Sequence, residues 1–392
     1  VFLFMAKNND IKNALERYRH AMADKRDILL TNIVMVGEIP APTFEEEARV
    51  RFMVDRFSEA GLHNCSADEV GNGFGILPGT ESDRNILLVA HADSIFGPKV
   101  DHTISMHVDR VEGPAVGDNA LGLAALATLP LALEQLDLAL KSNVILMAAS
   151  RSLGRGDLQG LRFFLQNNKR PIQCAMCVEG VQLGRLSYSS IGMVRAEINV
   201  YVPEQYDWTR FGAAGANITL IDLINKMNRI PLPKRPKTSI VLGTIEGGTS
   251  FNTIATHALL RFEIRSESAE VVHDILQQIE DAIAETQSET NADIKLDVLA
   301  RRKPGGVDFR HALVRRARAV MRALDIEPRM APSTSELSEL INHNIPAITL
   351  GLTESEKQSQ INESLKIEPI FTGMAQLIGM LVAMDEDGRH EH

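Results

Sequence analysis

"NVILMAASRSLGRGDLQG", residues 143–160, decides how the chain is read. Its first half is an apolar run too short for a helix and bounded by polar residues, which predicts a buried strand. In an open α/β sheet, ligands gather at the carboxyl ends of the strands. Chemistry is therefore expected just after Ala149. The next residues are Ser150, Arg151, Ser152, Leu153 and a glycine pair, with no acid until Asp157. Either this is an anion cradle or the working residues of a site are missing. Gly154-x-Gly156 after a strand invites a dinucleotide loop. Gly160, however, comes one residue late for G-x-G-x-x-G, and "NNKRPIQC" stands where a ribose-binding acid should be. Dinucleotide binding is set aside.

Outward from this stretch, strands and helices alternate. Residues 8–37 have helical spacing of apolar positions. Thr43 reads as the N-cap of a helix that Gly61 stops. "NGFGILPG" and "NILLVAHAD" read as strands, 119–138 as a mostly apolar buried helix, "LQGLRFFLQNN" as a helix and "IQCAMCVEG" as a strand. That alternation predicts a largely parallel sheet covered on both faces. After Gly192 the pattern changes. "MVRAEINVYV" alternates with period two. A helix over 212–227, the strands "TSIVLGTIEGG" and "HALLRFEIRS", a helix through Val271 to Ile283 and the strand "IKLDVLA" complete a ferredoxin-like unit. After "RRKPGG" the first pattern resumes, with a helix over 311–324, the strand "PAITLGL" and a last helix from about 370. The expected organisation is one α/β domain, 1–192 and 302–392, interrupted by an α+β domain, 193–301.

At 392 residues the chain can bury a large core in two domains. A formal charge of -10 argues against a nucleic-acid partner, which wants clustered Lys and Arg. Three cysteines suit a reducing, cytoplasmic setting rather than a disulfide scaffold. Cys174-x-x-Cys177 falls within a predicted strand and has no second pair, so it reads as packing. "VFLFMA" is short for a signal peptide, and no apolar run is read as approaching 18 residues, so no membrane span is expected.

Three strand ends carry candidate chemistry. His91 and Asp93 in "VAHADS" share a strand face, so the imidazole could ligate a metal while the carboxylate orients its other nitrogen. A core histidine with an acidic partner is the plainer alternative. Asp118 in "GPAVGDNALGLAAL" is either a metal-bridging carboxylate or a helix N-cap. Glu179 in "CVEGVQLG" is either a ligand or a turn residue. One His with two carboxylates is a reasonable zinc set with an open position. In "TIEGGTSFNTIATHALLRFEIRS", Asn252 lies in a tight polar turn. Arg265, at a strand end, could grip a carboxylate or simply be exposed.

Taken in order, "VAHADS", "GPAVGDNALGLAAL", "GRGDLQG", "VEGVQLGRLSYSSIG", "IEGGTSFNTIATHALLRFEIRS" and "NIPAITLG" make the chain resemble the zinc aminoacylase, carboxypeptidase G and peptidase T family of metallopeptidases, from about residue 28 to 383. The resemblance implies a zinc-exopeptidase-like α/β domain with a mixed, largely parallel sheet and an inserted ferredoxin-like lid that commonly dimerises. It implies that His91, Asp118 and Glu179 hold one zinc or other divalent metal. Asp118 would bridge to a second metal, and Asp93 would orient the histidine. Asn252 and Arg265 would touch substrate.

The departures from the family are concentrated at the site. The family has two consecutive glutamates where this chain has Ser152 and Leu153: the first the general base, the second a ligand of the other zinc. Its lid histidine aligns with Tyr206 in "EQYDW", and its late histidine ligand aligns with Ser359, beside Gln360. Leucine has no lone pair for a metal, and serine cannot take a proton as a carboxylate does. Losing a base costs ~10²–10⁴ in rate, and losing an oxyanion donor about 10²–10³ more. The expectation is a pseudoenzyme, dead or strongly impaired in hydrolysis. It would bind a peptide-like or N-acyl amino acid ligand, or a partner subunit, as a homodimer through the lid or as a heteromer with an active homologue. Arg151, next to the site, is expected to repel a metal. The alternative is a one-zinc amidohydrolase with a different base, for which His102 and His107 are candidates.

Overall fold

The structure is a computed structural model that describes residues 8–203 and 214–386. The chain divides into two compact units, residues 1–190 with 306–392, and residues 191–305. In chain order the principal strands are β1 (His63–Ala67), β2 (Gly73–Leu77), β3 (Glu81–His91), β4 (Ser142–Ala149), β5 (Cys174–Val181), β6 (Arg185–Ser187), β7 (Gly192–Tyr201), β8 (Thr238–Gly247), β9 (His257–Ser266), β10 (Asp293–Arg302), β11 (Arg329–Met330) and β12 (Ala347–Thr353).

The first unit is built on one eight-stranded sheet in the order β1-β2-β4-β3-β5-β12-β6-β11. Its centre, β4-β3-β5-β12, is parallel, while β1, β2 and β6 join antiparallel. The apolar runs read as strands are buried on both faces. Leu88, Leu146 and Met176 point into one core, with Leu121 and Leu377, while Leu87, Ile145 and Ala175 point into the other, with Leu161 and Leu337. A strand covered on both sides cannot alternate apolar with polar, which is why these segments read as continuous runs. Cys174 and Cys177 fall into opposite cores, and neither is in a disulfide. A strand sends such positions to opposite faces, so this C-x-x-C cannot act as a pair.

Two expectations are corrected. Val116–Gln135 is a 20-residue segment apolar and long enough to cross a membrane by length and composition, and 89% of its 18-residue apolar window is buried inside the fold. Its apolar character belongs to a core helix wrapped by protein on all sides. Thr43 does not cap the following helix, which runs Glu47–Glu59 with Glu46 at its start. The Thr43 hydroxyl instead donates to Asp93 at 2.8 Å.

The second unit follows the order β8-β9-β7-β10, antiparallel throughout, with helices Ala216–Met227 and Ala269–Thr290. Ile198, Leu260 and Phe262 from the sheet, with Leu220, Ile275 and Ile279 from the helices, form its core.

Candidate metal-binding site

Parallel pairing places the carboxyl ends of β3, β4 and β5 side by side. His91 stands opposite Ala149 on β4, and Glu179 stands near the end of β5 opposite Gly351 on β12. The backbone at Val116–Ala120 leaves helical geometry at Asp118 and Asn119, which are joined by a cis peptide, before the helix Leu121–Gln135 begins. Asp118 makes no cap. Its carboxylate lies 2.9 Å from His91 Nε2.

His91, Asp118 and Glu179 each offer a ligand atom, and these atoms lie within 4.8 Å of one another. The donor chemistry, an imidazole nitrogen with two carboxylates, fits one divalent cation with an open coordination position. His91 Nδ1 faces the Asp93 main-chain carbonyl at 3.0 Å, with the Asp93 carboxylate further away at 3.5 Å. The oxygen that orients the ring is therefore chiefly a backbone one, and Nε2 is left to face the other ligands.

Asn119 fixes the relation between Asp118 and Glu179. Its amide nitrogen donates to the Val178 carbonyl and its amide oxygen accepts from the Gly180 amide, both at 2.9 Å, so it grips β5 on either side of Glu179. Arg49 performs a similar task for β3. It is 1% exposed and donates to Ile39 and Ala92 carbonyls at 3.0 Å. Burial lowers its guanidinium to about 10, while Asp93 and Glu46 pull the other way, so it stays charged near neutrality.

Protons balance the charges of the cluster. Burial works against a charged His91, but Asp118 and Asp93 outweigh it and hold the imidazole well above its ordinary value. Burial opposes the Asp118 charge too, and His91 carries it below the usual carboxylate range. Burial pushes Glu179 up to about 7 despite Arg185 and His91. Arg185 Nη1 lies 3.9 Å from Glu179 Oε1.

Two further buried carboxylates were not legible as site residues. Glu363 accepts from the Gly117 amide at 3.1 Å, and burial raises it to about 7. Glu336, 2% exposed, has one oxygen with no hydrogen-bond partner. Both lie in ordinary polar stretches that carry no motif of their own.

The loop after β4 is held beside this cluster. The Leu153 amide donates to Asp93 at 2.7 Å, and the Arg151 amide donates to Glu46 at 2.8 Å. Ser152 is buried with its hydroxyl unpartnered. The Arg151 guanidinium lies over the Phe44 ring and bonds Gln159, so the cation against the cluster is Arg185, not Arg151. Ser359 is an exposed turn residue with φ +59°. His102 Nε2 faces the Gly97 carbonyl at 3.1 Å, and His107 lies 4.0 Å from Glu112.

Asn252 and Arg265 belong to the second unit. Asn252 accepts from the Ser250 hydroxyl, and Arg265 Nε donates to Glu263 at 2.8 Å. Tyr206 lies outside the described residues.

A model of the M20 peptidase dimerisation domain matches residues 209–291. Among solved structures, human carnosine dipeptidase 1 is 12% identical over 95% of this chain and 100% of that chain, with a TM-score of 0.75. The aminopeptidase PepT from Bacillus cereus is 15% identical over 91% and 98%, with a TM-score of 0.69. The chain has the M20 metallopeptidase fold. The YXEP protein from Bacillus subtilis, a dinuclear metal-binding M20 peptidase, shares this fold at 14% identity over 92% and 98%, with a TM-score of 0.62. No curated protein matches the chain in sequence.

Proposed function

We propose that this chain is an M20-fold protein in which the hydrolytic chemistry is lost or strongly impaired. It binds a small peptide-like or N-acyl amino acid ligand around a site for at most one divalent metal. The observation that carries the reading is the clamp of Asp93 on the Leu153 amide. The loop is held against the strand end that bears His91, yet its side chains are a hydroxyl and an isobutyl group. Neither can take a proton from a water at neutral pH, and leucine cannot bind a metal.

His91, Asp118 and Glu179 would hold the cation, zinc being the natural choice for such donors. When bound, it would supply Lewis-acid polarisation of a carbonyl oxygen. The chain's own residues orient and charge-balance the site. Asn119 spaces the ligand carboxylates, and the Asp93 carbonyl holds the His91 ring.

Assembly through the second unit as a homodimer, or with an active homologue, is part of the proposal. The matched dimerisation domain supports it.

One-metal hydrolysis with another base is a second reading, favoured by the open position that three ligands leave. His102 and His107, the candidate bases, face Gly97 and Glu112.

The test is the triple variant Ser152→Glu, Leu153→Glu, Ser359→His, assayed with zinc against N-acyl amino acids and dipeptides beside the unaltered chain. Hydrolysis only in the triple variant supports the proposal. Comparable turnover in both supports the second reading.

A further inference from the structure

Arg185 opens β6, and its side chain is 22% exposed. Two hydroxyls hold its guanidinium. Nε donates to Ser187 at 3.3 Å and Nη2 to Ser333 at 3.4 Å, and both serines are buried. Nη1 is thereby turned to Glu179, 3.9 Å away. A guanidinium keeps its charge at all working pH values.

The cluster it faces is rich in acid. Asp118 and Glu179 converge on His91, and the buried Glu336 acts on both His91 and Glu179. A divalent cation entering here would have to replace the 2.9 Å contact between His91 Nε2 and Asp118. It would also have to share Glu179 with a positive charge that cannot leave.

We propose that Arg185 is a resident counter-cation that competes with a divalent metal for Glu179 and so holds the metal affinity of the site down. The proposal rests on reading His91, Asp118 and Glu179 as the metal ligands. Arg185 is then a positioning residue: it touches no reacting atom and acts through the positive charge it holds 3.9 Å from Glu179. Outer residues of metal sites change affinity by about 10- to 100-fold. In the usual arrangement they support the metal. Here the sign is reversed, because the partner of the ligand is a cation.

The experiment measures zinc affinity of the full chain by competition with a chromogenic chelator, using zinc alone, for the unaltered protein and for Arg185→Gln and Arg185→Lys. Arg185→Gln is expected to bind zinc about tenfold more tightly. Arg185→Lys, which keeps the charge, is expected to stay within about threefold of the unaltered chain. Thermal unfolding in chelator provides a second readout. Arg185→Gln should melt lower than the unaltered chain without metal and recover when zinc is added. Equal or weaker zinc binding by a folded Arg185→Gln overturns the proposal, as does equal tightening by Arg185→Lys. Should Arg185→Gln fail to fold, Ser333→Ala frees the guanidinium from one of its posts. Tighter zinc binding then supports the proposal, and unchanged binding overturns it. Zinc binding by none of these proteins also overturns it, while the proposed loss of hydrolysis is judged separately by the Ser152 and Leu153 restorations.

Discussion

The backbone amide of Leu153 donates to the Asp93 carboxylate at 2.7 Å, and Thr43 donates to the same oxygen at 2.8 Å. Asp93 is fully buried and lies two residues past the end of β3. One carboxylate thus ties the loop after β4 to the strand end carrying His91. The loop is fixed there with Ser152 and Leu153 as the residues that follow the strand end.

Asp93→Ala should therefore be among the most damaging substitutions. It leaves the Leu153 amide and Thr43 hydroxyl unpaired and removes a negative charge that acts on the buried Arg49. The expected cost is about 3 kcal/mol, read from the urea midpoint. A cost below about 1 kcal/mol would mean the clamp is dispensable.

Asn119→Ala removes both hydrogen bonds that grip β5 around Glu179. Two buried backbone groups lose their partners, so destabilisation of about 2–4 kcal/mol is expected in urea titrations. Zinc affinity should fall as well, because the spacing of Asp118 and Glu179 is no longer set. Full stability with unchanged zinc binding would remove Asn119 from this role.

The pH dependence has a definite sign. Burial holds Glu363 and Glu179 at about 7 in the folded chain, against about 4.3 when unfolded. Between those values the folded state binds the additional protons. Stability in chelator therefore falls as pH rises from about 4.5 to about 7. Glu363→Gln cannot titrate. Its stability relative to the unaltered chain should improve by about 1–3 kcal/mol between about pH 5 and pH 8. A constant difference across that range would contradict the assignment.

The legibility of each feature depends on where its signal lives. Apolar runs ending in His91 and Glu179 marked strand ends, because strands covered on both faces must be continuous in hydrophobicity. The change to period two after Gly192 marked the second unit for the converse reason: there one face of the sheet packs on helices. Arg185, Asn119 and Glu363 were not legible as site residues, since each acts through a contact between separate segments of the chain. Glu363 reaches Gly117 across 246 positions. Thr43 looked like a cap because a hydroxyl before acids and a helix is a sound local signal. A tertiary partner, Asp93, took the hydroxyl instead. The buried segment Val116–Gln135 shows the same limit, since apolar length cannot say whether protein or lipid surrounds it.

Assembly can be tested through the second unit. β8 is an edge strand with Val241 and Ile245 exposed, and the helix Ala216–Met227 exposes Ile218 and Ile221. An exposed apolar edge invites pairing with another chain. If the proposed homodimer uses it, Ile221→Asp with Ile245→Asp in the full chain should shift the mass by light scattering from dimer to monomer and leave the melting of the first unit intact. An unchanged dimer would place the interface elsewhere.

Loss of hydrolysis is decided by turnover of the unaltered, zinc-loaded chain. The measurement is amide hydrolysis across a panel of N-acyl amino acids and dipeptides, with a chelated control. Rates indistinguishable from the control are predicted, given the ~10²–10⁴ that a missing base alone costs. Zinc-dependent turnover with kcat near the ~10 s⁻¹ of an ordinary enzyme would contradict the loss.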